Sequence, residues 1–397
     1  MWIDGHRDFG HLTYCTNIHA GEDWPDVIGS LRTHVPAIKT ALSPSGDFGI
    51  GLRIGGAAAE ALKTAANMEE LQSFLADSGC TVVTFNGFPF GAFHGQKVKE
   101  DVYSPDWSTD VRLAYTNALA DFMVALLPDD EAGSISTVPG TFKEWVPGRV
   151  EPIVANLIDH VAYLVDTKQR TGKMIALALE PEPCCMLETI AESVTFFEEH
   201  IFAPTGIDRL MRQTGLSRAD ADAAMHAHIG LCYDVCHAAV EYEDPKQSLE
   251  DLRSAAIAIP KLQLSSALRI LNVDDAKLAE LKEFDEPVYL HQVIQSDSRG
   301  LSRFKDLPDA FAKAEAAMGS EWRVHFHVPI FLERLEKFDT TQSFLRDILA
   351  LHRSDPISPH LEVETYTWDV LPAEYRNVPV SEAIAREMAW VRDQLTQ

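Results

Sequence analysis

Two rhythms alternate along this chain. Short runs in which most residues are apolar or β-branched give way to longer stretches whose apolar residues recur every three or four positions. The first rhythm predicts strands at "HLTYCTNI" (11–18), "FGIGLRI" (48–54), "CTVVTFNGF" (80–88), "GSISTVP" (133–139), "KMIALALEPEP" (173–183), residues 228–235, "IPKLQLSSALRI" (259–270) and "HLEVETYTW" (360–368). The second predicts helices over 24–42, with Pro25 near the start, and over 56–79, ended by Gly79. Further helices are expected near 108–127, over 149–169 and 188–202, near 246–258, and over 381–395. Two more strand candidates, "PVYLHQVIQ" (287–295) and "WRVHFHVPIF" (322–331), lie between the last two steps.

Strands alternating with helices pair in parallel and are covered on both faces. Eight such steps over 397 residues suit a (β/α)8 barrel better than a doubly wound sheet. The two extra strand candidates then mark a β-rich segment inserted between strands seven and eight, at approximately 271–335. No repeat, low-complexity linker or charge run divides the chain, so a single domain over 1–397 is expected. The glycines of "GIGLRIGG" (Gly49, Gly51 and Gly55) are spaced too widely for a dinucleotide-binding turn. They read as glycines near a strand end.

Charge narrows the partners. With 34 basic against 60 acidic residues the formal charge is -26, a field that repels nucleic acid. No apolar run approaches the roughly 20 residues of a membrane span, and the N-terminus lacks the pattern of a signal peptide. The six cysteines follow no disulfide framework. A cytoplasmic protein acting on a small-molecule metabolite is the expectation, with no nucleic acid and no direct membrane insertion.

In a barrel the active groups come from the C-terminal ends of the strands and the loops that follow. Strand five ends in Glu180, strand six in Asp234 with His237 three residues on, and strand eight in Glu364; strand seven carries Gln263. In "HFHV", His325 and His327 fall on one side of an extended chain. Carboxylates crowded at one barrel mouth repel each other, and a divalent cation removes that repulsion. Oxygen and imidazole ligands suit Mn, Zn, Mg, Fe or Co. Asp234 and His237 also fit a plain helix cap, and Gln263 a bond to the neighbouring strand.

Glu, Asp-x-x-His, a polar residue and Glu on successive strands resemble the xylose isomerase-like TIM-barrel superfamily. That group includes sugar isomerases, ketose 3-epimerases and endonuclease IV. "HLTYCTNIHAGEDW", "NGFPFGAFHG", "LEPEP", "CYDVCH" and the "HFHVP" to "LEVETYTW" pair resemble, within it, the EboE-type metabolite-traffic proteins over nearly the whole chain. The resemblance implies metal ligands at Glu180, Asp234 and Glu364, with Gln263 standing where the family usually has histidine. It implies a substrate-contacting or second-metal role for His237. His325 and His327 resemble the endonuclease's Asp-x-His pair. Asn86 and His94 from strand three, Arg53 from strand two and Trp368 after strand eight are expected on the substrate side, and His11, Asn17 and His19 approach from the first strand. A prenyltransferase-like membrane protein is the partner the resemblance implies.

Two carboxylates facing a substrate across one metal suit proton transfer beside a carbonyl. Glu180 and Glu364 are expected to move the proton, Asp234 to hold the metal and His237 to bind a substrate oxygen. Phe88, Phe90, Phe93, Trp107, Tyr366 and Trp368 either line the site or pack around it. Two alternatives stand beside this isomerase or epimerase reading. One is metal-dependent phosphoester hydrolysis, with zinc and with His94, His325 and His327 recruited; the other is a barrel that binds and hands over a metabolite without turnover.

Overall fold

The computed structural model describes residues 1–3, 6–44 and 46–396. Fourteen strands are present among them. They are β1 (Trp2–Ile3), β2 (His6–Tyr14), β3 (Phe48–Arg53), β4 (Cys80–Asn86), β5 (Ala132–Thr137), β6 (Met174–Leu179) and β7 (Ile229–Asp234). Then follow β8 (Lys261–Leu264), β9 (Ala267–Ile270), β10 (Val293–Asp297), β11 (Gly300–Phe304), β12 (Glu321–His327), β13 (Asp339–Thr340) and β14 (His360–Val363). One sheet has the order β1-β2-β14-β8-β7-β6-β5-β4-β3. Its eight strands from β2 to β3 pair in parallel, and β1 adds an antiparallel edge to β2. A parallel bridge from Cys15 to Gly51 joins β2 to β3 and brings the ends of the sheet together. The chain thus forms an α/β barrel of the (β/α)8 type, with helices between strands.

Both faces of each strand are used, for different purposes. Residues such as Leu12, Val82, Ile135, Leu177 and Leu231 are buried in the continuous apolar core. The barrel interior is instead polar: Thr84 Oγ1 lies 2.8 Å from Ser134 Oγ, which lies 2.8 Å from His360 Nδ1. Gly51 belongs to this interior, because a Cβ there would stand 1.3 Å from Glu362 Oε2. Gly49 is confined less tightly, a Cβ there standing 2.8 Å from the Met1 amine and 2.9 Å from Thr13 Cγ2. Gly55 caps the helix Gly56–Leu62. Close packing, not phosphate binding, accounts for the first two.

Helix Trp24–Leu42 matches the expected span, with Asp23 accepting from the Asp26 amide and Pro25 in the first turn. The 56–79 segment is divided at Lys63–Thr64, where Thr64 caps a second helix, Ala65–Ser78. Helices Pro204–Thr214 and Ala-rich Arg218–His228, not among the expected ones, fill the stretch before β7.

The largest departure falls at 259–270. The apolar rhythm is continuous there, yet the strand breaks at Ser265–Ser266. Ser265 Oγ donates to Asp234 and accepts from the Cys236 amide, while Ser266 O accepts from the Val328 amide. β8 stays in the barrel, and β9 enters a second, antiparallel sheet of order β11-β10-β12-β9-β13. This is the inserted β-rich segment, and its strands span 267–340. The 287–295 candidate is mostly loop, with β10 beginning only at Val293, because Glu286 accepts from the Val288 and Tyr289 amides and holds them in a turn. No helix among the described residues is long and apolar enough to cross a membrane.

Replacing Gly51 with alanine should displace Glu362 and loosen barrel closure. The expected loss is about 1–3 kcal/mol or more, the range for overpacking a full core, read as a lower midpoint in urea unfolding.

Candidate active site at the barrel mouth

Glu180 follows β6, Asp234 ends β7 and Glu364 follows β14, so neighbouring parts of the barrel wall bring three buried carboxyls together. Their oxygens lie within 4.8 Å of one another. Each is held differently. Glu364 Oε1 accepts from Asn17 Nδ2 at 2.8 Å and Asn86 Nδ2 at 3.0 Å. Asp234 Oδ1 accepts from the His237 amide at 3.0 Å and from Ser265 Oγ at 2.6 Å, while Oδ2 is buried without a partner. Glu180 Oε2 is likewise buried and unpartnered. Asp234 is the N-cap of the helix Val235–Val240 and a member of the cage at once. The cap fixes one oxygen and leaves the other facing the cage.

Burial, and then the neighbouring carboxylates, push the Glu180 and Glu364 carboxyls well above their ordinary range. Lys261 opposes this from beneath. Its ammonium is fully buried, lies 2.6 Å from Glu362 Oε1 and donates to Ser136 Oγ at 3.2 Å across the barrel. Gln263, one inward step above Lys261, is in register with both Asp234 and Glu362. Both of its amide atoms are buried without partners.

A second group adjoins the first. His237 Nε2 is 3.1 Å from His325 Nε2, which is 3.3 Å from His327 Nε2. The opposite nitrogens each face a carbonyl oxygen: His237 Nδ1 to Pro181 O at 2.8 Å, His325 Nδ1 to Gln292 Oε1 at 2.8 Å and His327 Nδ1 to Glu364 O at 2.9 Å. Gln292 is oriented by donating its amide to Tyr103 Oη, Glu182 Oε1 and Pro183 O, which makes its oxygen the acceptor. Each ring therefore sets an Nδ1–H against a carbonyl oxygen and turns its Nε2 towards the other two rings. Burial holds His325 well below the usual histidine range and lowers His327 to about 4, so these two rings are neutral. Converging imidazole nitrogens and unpartnered carboxylate oxygens form groups that could hold a divalent cation. Asp234, His237 and His327 also lie within ligand distance of one another, which makes Asp234 common to both groups.

Other expected residues are distributed unevenly. Asn17 and Asn86 border the cavity above the cage, as do Phe88, Phe93 and Tyr366. Arg53, expected on the substrate side, spends its guanidinium on Gly21 O, Glu22 Oε2 and Gly91 O, and does not line the cavity above the cage. Trp368, Trp107 and Phe90 pack with the core. His94 lies on the outer side, with Nε2 to Asn17 O at 2.5 Å and Nδ1 to Tyr289 Oη at 3.2 Å. His11 pairs in register with His360 at the opposite end of the barrel, because β2 begins earlier than expected. His19 bonds Tyr14 Oη and stacks on His34. Glu182, absent from the expected set, borders the cavity, and its Oε1 accepts from Tyr103 Oη at 2.7 Å. Its signal was present in "LEPEP", two residues after Glu180 and on the same side of an extended chain.

No protein-family model and no curated protein sequence matches this chain. Solved structures with a similar chain path exist. The IOLI protein with a bound zinc atom is 13% identical, with a TM-score of 0.47, covering 97% of this chain and 98% of that one. The 3-keto-D-glucoside 4-epimerase YcjR from E. coli is 14% identical, with a TM-score of 0.45, over 97% and 99%. A xylose isomerase domain-containing protein from Salmonella typhimurium LT2 is 12% identical, with a TM-score of 0.44, over 98% of each chain. At these values the likeness concerns the path of the chain alone.

Two outcomes follow from the electrostatics. Lys261→Met strands the Glu362 charge in the barrel and should cost about 3–5 kcal/mol, measured by urea unfolding. Adding Glu362→Gln should recover most of that loss. For Glu180, the folded protein favours the protonated form, so its stabilising contribution is complete in acid. It is lost as pH rises through the carboxylate range towards its elevated folded value. Glu180→Gln should therefore stabilise the metal-free protein at pH 7 by about 1–3 kcal/mol, while shrinking the rise in Tm produced by added Mn²⁺ or Zn²⁺.

Proposed function

We propose that this chain is a divalent-metal-dependent enzyme that moves a proton on the carbon beside a carbonyl of a small hydroxylated metabolite, isomerising or epimerising it. The observation that carries this reading is the pairing of Glu180 and Glu364. Both border the cavity and adjoin Asp234, and burial and neighbouring carboxylates hold both well above the ordinary carboxyl range. A carboxyl so shifted exchanges protons readily under working conditions.

Glu180, Asp234 and Glu364, with the Gln263 oxygen, would hold one cation, and His237, His325 and His327 with Asp234 a second. Such a cation supplies Lewis acidity to a carbonyl or hydroxyl oxygen of the substrate. Glu180, with its free oxygen, takes the proton; Glu364, oriented by Asn17 and Asn86, returns it. His237 meets a substrate oxygen at the cavity floor. The insert is part of the machinery in this reading, since it contributes His325 and His327, and residues 1–397 act as one unit.

A second reading, phosphoester hydrolysis, is favoured by the three converging Nε2 atoms beside a shared Asp234, the arrangement of a two-metal site. The same experiment separates the two. Protein loaded with Mn²⁺ or Zn²⁺ is incubated in D2O with a panel of ketoses, aldoses and cyclic hydroxyketones, and with bis(p-nitrophenyl) phosphate. Deuterium entering beside the carbonyl, lost by at least 100-fold in Glu180→Gln and Glu364→Gln, is the expected result (~10²–10⁴ per acid–base group). Release of nitrophenolate without exchange would select hydrolysis. Neither activity, with metal bound, would leave the metabolite-traffic role suggested by the resemblance to EboE-type proteins.

A further inference from the structure

The cavity above the cage has two unlike halves. Its floor is polar, with Glu180, Glu182, His237, His325 and Glu364, while Phe88, Phe93, Val98, Val102 and Leu290 form a wall. Part of that wall is an apolar cluster separate from the barrel core: Phe93, Val98 and Tyr289 pack together, with Val102 and Tyr366 against them. The rings stand close, with Phe93 centred 5.1 Å from Tyr289 and 5.3 Å from Tyr366. Three of the polar groups on the wall are already engaged with protein, and the Tyr366 hydroxyl adds a fourth to the lining. Tyr289 Oη donates to Phe93 O at 2.9 Å, Tyr103 Oη to Glu182 at 2.7 Å and Lys99 Nζ to Asp306 at 2.6 Å.

A free sugar carries a hydroxyl on nearly every carbon, and each one set against Phe88, Val98, Val102 or Leu290 would lose a hydrogen bond to water without replacement. We infer that the substrate is amphipathic: adjacent oxygen atoms at one end, seated on the carboxylate–imidazole floor, and an apolar ring or chain at the other, lying along Phe88, Val98, Val102 and Leu290. The inference rests on the metal-dependent reading for the head group and on the wall alone for the tail.

Three hydroxamates test it, because they share one chelating head and differ only in the tail. Acetohydroxamate has a methyl tail, hexanohydroxamate a five-carbon apolar one, and gluconohydroxamate a five-carbon hydroxylated one. Each is titrated into the Co²⁺-loaded protein and followed by the cobalt absorption bands, then into metal-free protein by calorimetry. Hexanohydroxamate should bind at least tenfold more tightly than either of the others, since one buried methylene is worth about fourfold in affinity. Val98→Ser and Leu290→Ser should each cut that preference about fivefold, with cobalt content and acetohydroxamate affinity unchanged. Gluconohydroxamate binding as tightly as hexanohydroxamate in both forms would overturn the inference. Failure to retain cobalt, with the tail preference intact in metal-free protein, would uphold the apolar wall and sink the metal reading alone.

Discussion

Negative charge confined at the top of the barrel is the constraint on which the rest of the site depends. Glu180, Asp234 and Glu364 share one buried volume, with Glu182 and Glu362 close by, and the ammonium of Lys261 is the cation set beneath them. Removing several like charges from water costs several kcal/mol each unless something compensates. Lys261 is committed to Glu362, which leaves the upper three to protons, to amide donors or to a metal. The distribution of donors shows how the fold divides that work. Asn17 and Asn86 satisfy Glu364, a helix N-terminus and Ser265 satisfy half of Asp234, and Glu180 keeps an unpartnered oxygen.

The architecture explains why the groups converge. Parallel strands put their C-terminal ends on one rim, so residues far apart in sequence arrive together without any local motif. The insert adds what the barrel lacks. β12 runs beside β9 with a register irregularity between Val324 and His327, and both of its histidines reach the mouth. Their backing comes from elsewhere, His325 from Gln292 ahead of β10 and His327 from the carbonyl of Glu364. A hydrogen bond at one ring nitrogen fixes the tautomer and so decides what the other nitrogen can do. Three such choices made in the same sense bring three Nε2 atoms together.

Much of this was legible in the sequence, for physical reasons that can be named. Buried parallel strands read as apolar runs, and a charged residue at the end of such a run is conspicuous, which exposed Glu180, Asp234 and Glu364. The two-residue period placed His325 and His327 on one side. What failed was whatever depended on where a strand starts, breaks or meets another. His11 sits at the wrong end because β2 begins at His6. Apolar periodicity passes over Ser265–Ser266, yet the Ser265 hydroxyl and the Ser266 carbonyl are bonded where the chain leaves for a different sheet. Arg53 looked available because its partners, Glu22 and Gly91, belong to loops whose paths are not written in any period. Gln292 was invisible for the same reason.

The residue pair Asp234 and His237 shows why capping and metal binding need not compete as explanations. A capping aspartate uses one carboxylate oxygen to accept from a backbone amide, here that of His237 itself. The same turn places the His237 side chain beside the free oxygen, with Nε2 3.9 Å from Asp234 Oδ2. The helix is short, Val235–Val240, and its first turn is buried on every side. Its value to the fold is therefore orientation more than helical stability. The cap holds two donors of different chemistry at a fixed angle, one oxygen and one nitrogen, facing separate clusters. Removing the cap would disturb both clusters together, which is what a shared ligand requires.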